Sequence, residues 1–270
     1  MISSQKQRDK TIKKELQWIK KQELKLLNAA LRVKESTWKA SLEVKIPQKV
    51  YSGLESAFCK GFSLVFDQGR IVIEKSYDKQ NIQADHAIRD YAVQLKGSRK
   101  AFRQMHKQVK RSNSMNMLIT AAEGIGLGAL GIGMPDIVLF LSNLLKGVYE
   151  TALSYGFDYE SPQEQVLILK MMQTALTSGE EWISRNREVD EMLHLETLEI
   201  GEGILKHQMQ DTASVFAMDM LIMKFIQGLP IVGILGGAAN PVYYHKIMKY
   251  VQLKYRKRYL LKLDSSMNLH

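Results

Sequence analysis

The sequence predicts an all-α protein, a multi-helix bundle with two glycine-rich αα-hairpins at its centre. Three observations carry this reading. Apolar residues recur at helical spacing in segment after segment, without the alternation of half-buried strands. Capping signals punctuate the chain. Two apolar, glycine-dense stretches, residues 116–159 and 228–241, each read as apolar helix, glycine turn, proline, helix.

Taken in order, residues 5–32 form a helix, with Trp18, Leu24 and Leu27, together with Ile12, Leu16 and Ile19, as its stripe and lysines elsewhere. It suits lying on a surface or packing on the body equally well. A second helical stretch carries Trp38 and Leu42 and ends before Pro47. Pro47 opens a helix through Val50, Leu54 and Phe58, with Gly61 as a point of interruption. Ile71-Val72-Ile73 has a local strand preference, but no partner strand is evident, so the segment is assigned to helix. Residues 83–111 read as one basic helix.

In the central stretch, Gly124, Gly126, Gly128, Gly131 and Gly133 fall within ten positions. A helix through all of them would lose about 0.8–1 kcal/mol per glycine relative to alanine, so they mark a turn. Pro135 suits the first position of a new helix, Asp136 its first turn, and Gly156 its C-cap. Beyond it, Ser161-Pro162-Gln163-Glu164 is a capping-box-like start, with Glu164 reaching back. That helix stops at Gly179. An acidic region with breaks at Gly201 and Gly203 follows, then an apolar helix to residue 227. Gly233, Gly236 and Gly237 form the second glycine turn, before a last helix bearing Tyr243, Tyr244, Tyr250 and Tyr255. The spacings Gly124-x-x-x-Gly128 and Gly233-x-x-x-Gly237 let helix backbones approach closely, in water or in lipid. Three domains are expected: a basic amphipathic N-terminal helix over 1–34, a helical domain over 35–262 and a flexible tail over 263–270.

Leu118 to Leu145 is long enough to span a bilayer. Glu123, Asp136 and the broken helix argue against a simple span. A core hairpin, a hairpin dipping into one leaflet and a partner-facing hairpin all stay open. Gly126-x-Gly128-x-x-Gly131, with Glu150 downstream, fits the dinucleotide fingerprint in letters only, because the preceding residues read as helix rather than strand.

Composition narrows the function. Hydrophobic residues make up 45% of 270, ample for a core. The lone Cys59 excludes an intramolecular disulfide, and no apolar leader follows Met1, so a cytoplasmic location is expected. The net charge is +10 and uneven: residues 1–50 hold thirteen Lys/Arg against five Asp/Glu. Further basic groups comprise Arg99, Lys100, Arg103 and Lys107, then Lys254, Arg256, Lys257 and Arg258. These are the residues expected to meet an anionic surface. Their position beside apolar glycine-rich stretches favours a membrane, and no nucleic-acid-binding signature accompanies them.

Chemistry is thinly signalled. Glu191-x-x-His194 has the spacing of a di-iron half-site, but no second copy exists, so no metal is expected. Cys59 lacks the surroundings of a nucleophile. Glu123, Asp136, Asp158 and Asn240 sit in or beside the glycine turns. They either satisfy helix ends or form a polar site between the hairpins.

Four blocks, Glu123–Asp136, Ala152–Tyr159, Pro230–Asn240 and Leu253–Tyr259, together resemble the EcsC family of bacteria. The resemblance spans roughly residues 35–262. It implies an operon shared with an ABC transporter's ATPase and membrane subunits, hence a link to transport, secretion or the cell envelope. It brings no established activity or cofactor. A Walker A sequence is missing, so the chain is not the transporter's ATPase. The expected function is a non-catalytic, membrane-associated accessory at the inner face of the membrane, beside an ABC transporter or other membrane protein. An enzyme with a carboxylate-lined site between the hairpins is the alternative.

Overall fold

The computed structural model describes residues 2–32, 46–112, 134–195, 200–201, 203–227 and 239–265. Among these every regular element is helical: α1 (Ile2–Arg32), α2 (Gln48–Leu64), α3 (Arg70–Glu74), α4 (Lys79–Lys96), α5 (Arg99–Ser112), α6 (Met134–Ser154), α7 (Pro162–Leu176), α8 (Gly179–His194), α9 (Ile204–Gln227) and α10 (Ala239–Ser265). The all-α expectation holds. The glycine turns themselves lie outside the described residues, with Glu123, Gly124, Gly126, Gly128, Gly131, Gly133, Gly233, Gly236 and Gly237. So does the stretch around Trp38 and Leu42.

Three helices, α6, α7 and α10, make the interior. α6 buries Ile137, Val138, Phe140, Leu141, Leu144, Leu145 and Val148. It is long and apolar enough to cross a membrane, yet 83% of that window is buried inside the protein. α7 is buried almost all round. It packs on α9, α10 and α8, while α10 also packs on α6 and α1. α2 rests on α9 and α6, where Phe58, Phe62, Phe140 and Phe216 form an aromatic cluster.

Several local assignments change. Gly61 does not interrupt α2; a Cβ there would stand 3.0 Å from Ile137 and 3.1 Å from Leu141, so it sets the approach of α2 to α6. A π-helical turn, Val65–Gly69, joins α2 to α3. Ile73 is buried while Ile71 is exposed, as a helix requires. The expected single helix over 83–111 is two. Asp78 caps α4 by accepting from the Asn81 N–H at 2.9 Å, and Gly97 ends it at φ 53°. The C-terminus of α6 closes as expected at Gly156, with φ 77°. Phe157 N–H donates to Ala152 O and Gly156 N–H to Leu153 O, both at 2.9 Å. That pair of bonds is a Schellman closure.

α1 is built into the body. It packs on α10, α8 and α4, burying Ile12 and Ile19, seven positions apart on one stripe. Gly97 keys it in place: a Cβ there would lie 2.5–2.8 Å from Cβ, Cα and N of Arg8.

Candidate functional site

α10 brings its tyrosines inward, and four of its cations, Lys254, Arg256, Lys257 and Arg258, meet acids on other helices. Lys254 Nζ lies 2.6 Å from both Glu23 on α1 and Asp190 on α8. Lys257 reaches the same two acids at 3.0 Å. Arg258 donates to Glu164 Oε2 at 2.6 Å, and the Tyr255 hydroxyl donates to Glu164 Oε1 at 2.7 Å. Ser161 caps α7 as expected, accepting from Glu164 N–H. The Glu164 carboxylate, however, serves Tyr255 and Arg258 instead of reaching back to the cap. The Arg258 guanidinium together with the Tyr255 hydroxyl outweighs a single backbone N–H.

Arg256 donates to Glu15 and stacks over the Trp18 ring, 3.9 Å from its centroid. His106 of α5 joins this group, with Nε2 at 3.6 Å from Glu15 and Nδ1 at 3.1 Å from the Tyr155 hydroxyl. Burial opposes ionisation of Glu15, but hydrogen bonds from His106 and Arg256 outweigh it and bring the carboxyl down to about 2. Burial pushes the Tyr155 hydroxyl upward, so it stays protonated.

This cluster borders a cavity of about 500 Å³ between α1, α5 and α10. Its apolar floor is formed by Val109, Met248, Leu253 and Tyr155. Trp18 and Leu26 flank it, and Lys25, Lys249, His245 and Arg256 supply the polar rim. No acidic residue lines it among the described residues. The lining follows from helical register. Trp18, Gln22 and Lys25 continue the face that begins at Glu15, and Tyr244, Met248, Gln252 and Arg256 recur every four residues on α10.

Outside the cavity, charge on α1 is sorted by face. Lys6, Lys10, Lys13, Lys14, Lys20, Lys21 and Lys25 are exposed. Its three acids, Asp9, Glu15 and Glu23, are all drawn partly inward. On α5, Arg99, Lys100, Arg103 and Lys107 are exposed opposite a buried face of Ala101, Phe102, Met105 and Val109.

The expected site residues fare unequally. Asp136 and Asp158 are exposed and lie at opposite ends of the 21-residue α6, about 30 Å apart at 1.5 Å per residue. At that separation the two carboxylates do not meet. Asp158 instead accepts from the Glu160 N–H at 3.0 Å, a turn-stabilising role. Asn240 falls in the first turn of α10. Lys254, Arg256, Lys257 and Arg258, expected on an anionic-surface face, are engaged in the internal ion pairs above. Four acids from α1, α7 and α8 compete for them more closely than any outside partner can. Glu191 and His194 are both exposed. Among the described residues no cluster of three His, Cys, Asp or Glu has metal-ligand geometry. Sequence reasoning passed over Glu15 and His106 as site residues, placed Trp18 only in the apolar stripe of its helix and Lys249 only in the C-terminal basic group. The signal for Glu15 and Trp18 was the spacing of three along one helical face; nothing in the sequence indicated that α5 meets it.

The EcsC protein family model matches residues 10–260. The chain belongs to the EcsC family. Protein EcsC of Bacillus subtilis (strain 168) is 33% identical over 125 residues, 45% of this chain and 50% of that protein. The match thus spans half the length of that relative. No solved structure matches. The family match begins inside α1 and ends inside α10, the two helices that flank the cavity, so this EcsC fold includes both walls.

Proposed function

We propose that this EcsC-family protein is a non-catalytic accessory that binds the anionic inner face of the membrane. The observation that supports this most directly is the sorting of charge on α1, with seven lysines outward and every acid inward. The exposed Arg99, Lys100, Arg103 and Lys107 of α5 add to the basic surface. Each cation near an anionic leaflet contributes about 1 kcal/mol, fading beyond the Debye length. In this reading α10 is a fastening element rather than a membrane contact. The family resemblance supplies the further proposal of a partner: an ABC transporter or another envelope system, reached along the membrane.

Flotation of the full chain with neutral and anionic liposomes, at low and high salt, tests this. Salt-sensitive flotation with anionic vesicles is expected. Reversing Lys13, Lys14, Lys20 and Lys21 to Glu should lower binding at least about 100-fold, since several kcal/mol of attraction become repulsion. Binding that survives high salt points to insertion of an apolar segment. No flotation with either vesicle overturns direct membrane contact, and pull-down of transporter subunits then tests recruitment by a partner.

A further inference from the structure

We infer that the cavity between α1, α5 and α10 binds a single-chain anionic amphiphile, with its acyl chain along the apolar floor and its head group at Lys25 and Lys249. The claim goes beyond docking to a surface, because it concerns one lipid molecule enclosed by the protein. Size fits: about 500 Å³ falls within the roughly 300–1,000 Å³ of small-molecule sites. Length fits as well. The lining runs along α10 from Tyr244 to Arg256, about 18 Å at 1.5 Å per residue. A bilayer's hydrocarbon core is about 30 Å thick, so one acyl chain spans about 15 Å.

Charge selects the occupant. Among the described residues, the lining has cations and no acid, and neither Lys25 nor Lys249 has an ion-pair partner. Glu15, which borders the cavity through Arg256, is already ion-paired to it. A neutral alkane would leave Lys25 and Lys249 unanswered, and a small inorganic anion would leave the apolar floor empty. Trp18 stands at the edge with 41% of its surface exposed, within reach of an occupant.

Trp18 is also the reporter. In the full chain carrying Trp38→Phe and Trp182→Phe, it is the remaining tryptophan of three. The probe is monomeric 9,10-dibromostearate, whose bromines quench indole on contact. Saturable one-to-one quenching is expected. The dibromostearate methyl ester, which lacks the charge, should bind at least about 10-fold more weakly. Lys25→Glu with Lys249→Glu, both on the exposed rim, should weaken the acid by a similar factor without changing the far-UV spectrum. Competition by oleate and by oleoyl lysophosphatidate then separates a carboxylate head from a phosphate head. Equal quenching by acid and ester, indifferent to the charge reversal, would mean unspecific partitioning and overturn the assignment. Absence of saturable quenching would overturn it too, leaving the groove to another part of this chain. Because the probe is monomeric, this result is independent of liposome flotation, so either claim can fail alone.

Discussion

Lys254 has 0% of its side chain exposed and lies between Glu23 of α1 and Asp190 of α8. Breaking a buried pair leaves an uncompensated charge, which costs more than the pair itself contributes. Lys254→Ala is therefore expected to destabilise by about 3–5 kcal/mol, as read from denaturant unfolding; a loss below about 1 kcal/mol would mean that Lys257 takes over both acids. Glu15 gives a pH signature. Its pKa falls from 4.5 to about 2 on folding, so its contribution is whole above 4.5 and fades as pH drops towards 2. The gap between wild type and Glu15→Gln should be about 1 kcal/mol at pH 6, reduced by solvent screening, and close near pH 2. Glu150 behaves oppositely. Burial raises its carboxyl to about 7, although Lys146 pulls it down. Folding then costs more as pH rises from 4.5 through 7, because the buried group ionises. Glu150→Gln should match wild type at pH 4 and exceed it by about 1–3 kcal/mol at pH 8. Melting curves across that range check both signs.

At the scale of elements, the placement of α1 turns on one glycine. Gly97 has φ 53°, where a side chain is strained, and backbone atoms of Arg8 fill the space that a Cβ would need. Gly97→Ala combines both penalties, an expected loss of about 2–4 kcal/mol. Hydrogen exchange should show the loss of protection concentrated in the first turns of α1 and at the α4–α5 junction. A uniform change across the chain would count against the keying role. The same glycine explains why one basic helix became two: helical periodicity continues through residues 83–111, but the left-handed residue turns the chain between α4 and α5.

For the whole molecule, the packing of α1 on α4, α8 and α10 predicts that it unfolds together with the body. Removing residues 1–32 would strip Glu23 from Lys254 and Lys257, Glu15 from Arg256, and a wall from the cavity. Such a truncated chain is expected to lose the cooperative transition in calorimetry and to expose the apolar side of α10. An unchanged melting temperature would restore the separate N-terminal helix read from the sequence.

The sequence alone determined the all-α class, the helix over residues 5–32, the cap at Ser161, the closure at Gly156 and the EcsC family, because these rest on local period, capping chemistry and contiguous blocks. It also placed the basic groups correctly along the chain. Which of those groups face solvent was decided only by tertiary structure. Lys254, Arg256, Lys257 and Arg258 look in sequence like the basic residues of α5, yet Glu15, Glu23, Glu164 and Asp190 approach them from three other helices. The cavity was equally illegible, since its walls come from residues 18–26, 106–109 and 244–256. A helix's own sequence sets which side chains share a face. What that face meets depends on helices far away along the chain, and long-range packing leaves no local period to read.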